Sequence, residues 1–242
     1  MVGEKKVKAN TVGENWDLYL LNIKVKFYNF TEYLRVCFYF YWLPKFALSD
    51  LFLLTQYLLS NPFRVARKFL QKHGVRDPYS YGETPLTTLK KIARECELSA
   101  NDRLYELGCG RGRTCFWLAD FVACRVTGLE LVPTFIRRAE RVLSVFPRKN
   151  LSFRQANFFL VDYSDATVLF IYGTCMEEDE VLHLIQVLDT LPLHARVITV
   201  SYALSEYEGG ENYRVLKSFS ASFTWGEGTV YLQEKQPGKL FQ

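Results

Sequence analysis

The sequence predicts an α/β domain with a doubly wound, mainly parallel seven-stranded sheet and an antiparallel C-terminal hairpin, preceded by an aromatic-rich helical N-terminal region. Three observations carry this expectation. Helix and strand signals alternate from residue 87 to residue 191, a glycine-rich turn joins the first strand to its helix, and the last strand signals follow one another without a long helix between them.

Residues 16–70 are crowded with Phe, Tyr and Leu and read as helical, in a chain that is 49% hydrophobic and 16% aromatic over 242 residues. Their uncharged runs, 36–44 and 51–63, are interrupted by Lys45 and Asp50. Neither reaches the roughly 18 residues of a spanning helix. Arg64, Arg67, Lys68, Lys72 and Arg76 follow with no acid among them, which suits anionic headgroups beside an interfacial helix. Two readings stand together: docking on an anionic membrane surface, or a cap packed on the following domain. The turn-rich segment 73–85 then sets the division, with residues 1–76 as the N-terminal region and 77–242 as the α/β domain.

Within that domain, helices are expected at 87–96, 114–121, 134–146 and 177–191. Strands are expected at 103–107, 125–130, 151–158, 167–172, 196–202, 218–225 and 229–234, with Trp225-Gly-Glu-Gly228 turning the final hairpin. The formal charge of +4 is too mild to point to nucleic acid. Six cysteines without a Cys-x-x-Cys pair, and dispersed His73, His183 and His194, give no metal site and favour a reducing compartment. The charged residues 1–10 do not resemble a secretory leader, so an intracellular location is expected, with peripheral attachment to a membrane left open.

The most informative stretch is Leu104-Tyr-Glu-Leu-Gly-Cys-Gly-Arg-Gly-Arg113, a strand entering a glycine turn that opens a helix. Gly108, Gly110 and Gly112 let backbone turn tightly and approach a ligand, around Cys109, while the helix start offers unpaired N–H groups. A dinucleotide fingerprint would place Gly or Ala where Arg113 stands. Glu106, two residues before the first glycine, would repel a diphosphate but attract a sulfonium bearing an amino group. Glu130 ends the next strand, where a carboxylate can accept ribose hydroxyls.

This ordered set, Glu106-x-Gly108-x-Gly110-x-Gly112 followed by Glu130, resembles the motifs of class I S-adenosylmethionine-dependent methyltransferases across about residues 79–234. The resemblance implies S-adenosylmethionine as cofactor, with the glycine loop on its methionine part, Glu130 on the ribose, and Asn157 with Phe158 near the adenine. Many members carry Asp where Asn157 stands. Tyr81-Gly-Glu-Thr-Pro85 is similar to a segment of non-SET protein-lysine methyltransferases that folds over the cofactor, which makes Tyr81, Glu83 and Thr84 candidate contacts. Proline in a first helical turn explains the same segment without a ligand.

The fourth strand ends in Tyr172-Gly173, unlike the paired asparagines of the histone enzymes and closer to lysine methyltransferases acting on mitochondrial membrane proteins. By that likeness the methyl acceptor is a protein lysine, in a membrane protein. A lysine ammonium must lose its proton before attack, and a desolvated tyrosine-lined pocket favours that loss. Tyr172 and Tyr202 are the candidate catalytic linings, Tyr172 also touching cofactor; each is otherwise a strand-end aromatic. Methylation of a nucleic acid or a small molecule, and cofactor binding without catalysis, are the alternatives. The fourth strand lacks the Asn/Asp-Pro-Pro-Tyr run of amino-methylating DNA enzymes, and no proline precedes Cys175 as in cytosine C5 enzymes, so nucleic acid is disfavoured. Nothing in the sequence specifies an oligomeric state.

Overall fold

The computed structural model describes residues 11–238, so the charged opening stretch 1–10 lies outside the described residues. Three helices come first: α1 (Thr11–Phe40), α2 (Pro44–Thr55) and α3 (Pro62–Lys72). Proline stands at the start of α2 and of α3, where a missing N–H costs nothing, and the Asn61 side chain accepts the Phe63 N–H at 2.9 Å to cap α3. Then follow α4 (Leu86–Glu95), β1 (Arg103–Leu107), α5 (Arg113–Trp117), β2 (Arg125–Glu130), α6 (Pro133–Val145), β3 (Leu151–Gln155), β4 (Val168–Ile171), α7 (Glu178–Val187), β5 (Arg196–Val200), β6 (Tyr213–Phe223) and β7 (Gly226–Lys235).

The seven strands form one sheet in the order β3-β2-β1-β4-β5-β7-β6. β1 to β5 pair in parallel, and β7 runs antiparallel between β5 and β6. The central β4 is buried at all four residues, as a strand covered on both faces must be. Alternate residues feed two separate cores: Val168, Phe170 and Ile198 on the face that carries α4 to α6, Leu169, Ile171 and Val197 on the face that carries α7. The strand order reverses between β1 and β4, so ligands are expected at the carboxyl ends of these strands.

Several boundaries differ from the sequence reading. The helix expected at 114–121 is α-helical only over α5 and continues as a π-turn, Leu118–Val122, closed by Ala123 at φ 61°. That widening delivers Phe121 to Phe40, Trp42 and Phe46, with ring centres 5.2 to 5.9 Å apart. β3 stops at Gln155, because the Asn157 side chain accepts the Phe159 N–H and starts a short 3-10 turn, Phe158–Leu160. β5 stops at Val200, before Ser201 at φ 77°. α7 ends at Val187 and passes into a 3-10 turn. β6 begins at Tyr213, earlier than expected, and the hairpin turns at Thr224 and Trp225; Gly226 and Gly228 belong to β7. Gly228 lets the Trp225 ring lie on the strand, since a Cβ there would come within 2.5 Å of it.

The first three helices share the sheet's core. Val36, Phe40, Phe46 and Leu53 are buried in one cluster with Phe116, Trp117 and Phe135. Polar contacts fix the seam: Glu32 accepts the Thr87 N–H at 3.0 Å and its hydroxyl at 2.6 Å, capping α4 from α1. Arg148 donates to Asp120 at 2.6 Å and to the Ser49 hydroxyl at 2.8 Å. No described helix is long and apolar enough to cross a membrane.

Candidate cofactor and acceptor site

β1 delivers Glu106 and then the loop 108–112 to the carboxyl end of the sheet. The Gly108 and Cys109 N–H groups both donate to the Leu129 carbonyl at 2.9 Å, and the Gly112 N–H donates to the Cys109 carbonyl at 2.8 Å. All three glycines have positive φ, 74°, 54° and 75°. Gly112 is also crowded: a Cβ there would come within 2.5 Å of the Phe153 ring. At Gly108, by contrast, no atom lies within 4 Å of where a Cβ would stand, so its side faces a cradle that only a ligand or solvent fills.

Glu106 is buried beneath this loop, accepting the Thr114 hydroxyl at 2.6 Å and the Cys115 thiol at 3.0 Å. Burial pushes its carboxyl up to about 7, against those two donors. Glu130, also buried, accepts the Gly110 N–H at 2.9 Å and the Val132 N–H at 2.8 Å. Each of its oxygens keeps a further lone pair for another donor. Burial again raises its carboxyl, opposed by these backbone donors.

Arg111 and Arg113, which alternate with the glycines, border the same space while reaching carboxylates outside the loop. Arg111 meets Glu83 in a bidentate pair, with Nε and Nη2 each 2.5 Å from an oxygen, and its guanidinium lies 5.1 Å from the Tyr57 ring centre. The Tyr81 hydroxyl donates to the same Glu83 carboxylate. Burial alone would raise Glu83; the Arg111 charge outweighs it and holds the carboxyl below its usual range. Arg113 forms a second bidentate pair with Asp50 of α2, at 2.6 and 2.7 Å, under the Tyr33 ring. Tyr41 adds a 2.8 Å hydrogen bond to Asp50. The glycine loop is thus tied to α2 by one arginine and to the 81–84 segment by the other.

Two cavities meet at residues 82–84. A small one of about 20 Å³ is lined by Glu83, Thr84, Glu106, Gly108, Cys109 and Tyr172, among others. An open cleft of about 730 Å³ lies beyond it, walled by Tyr33, Tyr57, Phe63, Tyr79, Tyr81 and Trp225, with Tyr172 common to both. Tyr172 stacks on Phe223 at 5.3 Å and accepts the Trp225 indole N–H at 2.6 Å; burial pushes its hydroxyl up to about 12.

Of the residues singled out from sequence, Tyr81, Glu83, Thr84, Glu106, Gly108, Cys109 and Tyr172 gather here, Gly110 lines neither cavity but donates to Glu130, Gly112 closes the loop and Glu130 braces it. Asn157 and Phe158 line neither cavity, Asn157 being exposed and engaged in its own cap. Tyr202 lines neither as well, and packs on the α7 face with its hydroxyl 3.5 Å from the Met176 sulfur. The sequence reading missed Arg111, Asp50, Tyr33, Tyr57 and Trp225, and used Arg113 only as a departure from a dinucleotide fingerprint. Asp50 appeared only as a charge breaking an apolar run.

The strand order, the glycine loop at the carboxyl end of β1 and the acid ending β2 define a nucleoside-cofactor-binding α/β domain. Residues 104–191 match the family model described as a methyltransferase domain. That match and the strand order make residues 104–191 similar to a methyltransferase domain, within a fold of the class I S-adenosylmethionine-dependent type. The chain is 32% identical over 97 residues to a protein-lysine N-methyltransferase of Saccharolobus islandicus (strain REY15A), covering 38% of this chain and 58% of that protein. It is 27% identical over 109 residues to an H3 lysine-79-specific histone-lysine N-methyltransferase of Dictyostelium discoideum, covering 39% of this chain and 6% of that one. The matches thus span less than two thirds of either curated relative. Among solved structures, an RNA methyltransferase from Salinibacter ruber in complex with S-adenosyl-L-homocysteine superposes with a TM-score of 0.54 at 21% identity, covering 66% of this chain and all of that one.

Proposed function

We propose that this chain transfers the methyl group of S-adenosylmethionine to an amine nitrogen, with a protein lysine as acceptor. The observation that carries the reading is the arrangement of Glu106 and the open side of Gly108 at the floor of a cleft whose walls are aromatic. The donor set suits a cofactor that is cationic at one end and carries hydroxyls at the other. Glu106 attracts the cationic end, Gly108 admits close backbone approach, and Glu130 accepts hydroxyls through its remaining lone pairs. S-adenosylmethionine, when bound, supplies an electrophilic methyl carbon on its sulfonium.

The residues of the chain then act by placement. Tyr172 and Trp225 offer aromatic surface to an ammonium on its way in, the Tyr33 and Tyr57 rings being engaged by the Arg113 and Arg111 guanidiniums, and desolvation favours the neutral, nucleophilic amine. The two carboxylates lining the cleft are already engaged, Glu83 by Arg111 and Glu32 by Thr87, which leaves orientation as the main contribution. The two lysine-methyltransferase relatives support the choice of acceptor.

Calorimetric titration with S-adenosylmethionine and S-adenosylhomocysteine tests the first half, with Gly108→Val as control. Binding in the wild type that is lost in the variant is expected; a folded wild type that binds neither overturns it. Labelled methyl transfer to histone and polylysine, beside an RNA mixture, tests the second. Label on lysine ε-nitrogen is expected, and label confined to RNA overturns the acceptor.

A further inference from the structure

The cofactor site leaves one large feature unused. α1 is apolar on two opposite sides. One side, with Val36 and Phe40, is buried in the core. The other carries Leu20, Ile23, Phe27, Phe30, Leu34 and Phe38 at intervals of three and four residues, each between 46 and 80% exposed. A solvated helix face has no use for six large apolar side chains in a row, and a stripe of this length exceeds scattered surface hydrophobics. Trp42, 69% exposed, extends the stripe past the end of the helix.

We propose that this face docks on an anionic lipid surface. The charges choose the occupant. Flanking the stripe are Lys24, Lys26 and Arg35, all exposed, and no acid stands on that side between residues 19 and 40, Glu32 being turned inward onto α4. Pairing the stripe with that of a second copy would bring the Lys24 and Lys26 positions of the two helices together, a like-charge contact in the places that set coiled-coil partners. Lysines beside an apolar stripe instead suit headgroups that are negative, with their stems lying along the apolar surface.

A second element repeats the pattern. The turn between α2 and α3 exposes Leu58 and Leu59, α3 opens with an exposed Phe63, and Arg64, Arg67 and Lys68 follow, exposed as well. Val25 and Tyr33 of α1, Leu58 of this turn and Phe63 of α3 line the same cleft. α1 thus borders the cleft with the side opposite its exposed stripe, while Leu58 and Phe63 of the second element stand at the opening itself.

Flotation of the full chain with vesicles decides this without reference to methyl transfer. Vesicles of equimolar phosphatidylglycerol and phosphatidylcholine should carry the protein upward, with about tenfold or more stronger binding than phosphatidylcholine alone and with weakening at high salt. Two triple variants, Phe27→Glu/Phe30→Glu/Phe38→Glu and Arg64→Glu/Arg67→Glu/Lys68→Glu, should stay at the bottom while keeping the thermal melt of the wild type. Quenching of tryptophan emission by brominated phosphatidylglycerol vesicles reads the same contact on the unmodified chain, should a variant not fold. Wild-type protein that neither floats nor is quenched overturns the proposal. So does equal binding to neutral vesicles, or a wild-type dimer in light scattering that dissociates in the phenylalanine variant without any flotation.

Discussion

The glycine loop and the helical cap above it are held in opposite ways. The loop is shaped by backbone: three glycines at positive φ and N–H groups closing on Leu129 and Cys109. The cap is held by side chains far apart in sequence, Asp50 with Arg113 across 63 positions, Glu32 with Thr87 across 55, and Ser49 with Arg148 across 99. A loop of the first kind takes its shape from its glycines, while its Arg111 belongs with the side-chain ties through Glu83. A seam of the second kind fails when one partner is lost, because the other remains buried with its charge.

The sharpest way to break this contrast is at the seam. Asp50→Ala leaves the Arg113 guanidinium, whose side chain is 13% exposed, without its partner, and should cost about 3–5 kcal/mol in urea denaturation. The double variant Asp50→Ala/Arg113→Met should recover part of that loss, showing the cost to lie in the orphaned charge. If Asp50→Ala unfolds like the wild type, the cap is held by packing alone.

Next in size is the titration of Glu106. Its carboxyl titrates near 7 in the folded, ligand-free protein against about 4.5 in the unfolded chain, so the folded state binds the proton more tightly. Its contribution to stability is full below about pH 4.5 and lost as pH rises through 7, by about 3 kcal/mol in all. A cationic cofactor selects the carboxylate, so its affinity should rise with pH through the same window, with a proton released on binding. Glu106→Gln should flatten both curves in melts and in calorimetry with buffers of different ionisation enthalpy. A pH-independent affinity in the wild type would take Glu106 out of the cofactor contact.

The glycines separate shape from recognition. Gly112→Ala meets the Phe153 ring as well as the positive φ and should lose about 2–3 kcal/mol of stability. Gly108→Ala faces open space and should lose about 1 kcal/mol of stability, yet weaken cofactor binding at least as much as Gly112→Ala does. Smallest of all, Tyr172→Phe removes the acceptor of the Trp225 indole N–H and should shift stability by about 1 kcal/mol or less. A larger loss of methyl transfer than of stability in this variant would place the hydroxyl beside the acceptor.

The same contrast explains what could be read from sequence. Strand periodicity, the glycine turn and the acids at 106 and 130 are local signals, and the β1 and β2 boundaries match the expected ones. The seam is not local. Nothing near Asp50 says that its partner stands in a glycine loop, and an aspartate among leucines reads only as an interruption. Tyr202 was singled out with Tyr172 because both follow central strands, yet β5 ends at Val200 and Ser201 takes a positive φ, and the Tyr202 ring packs on the α7 side of the sheet. Trp225 reads from sequence only as the start of the hairpin turn, because the turn lies two residues earlier than the glycines suggest.

The shared core also orders events during synthesis. α1, α2 and α3 are translated before Phe116, Trp117 and Phe135, against which Val36, Phe40 and Phe46 pack. Until those residues emerge, the growing chain carries the apolar inner face of these helices uncovered, so the N-terminal third has no independent folded state to reach on the ribosome. Completion of the cap waits for the strands and helices that follow it, and a nascent chain halted near residue 100 would be a substrate for chaperones.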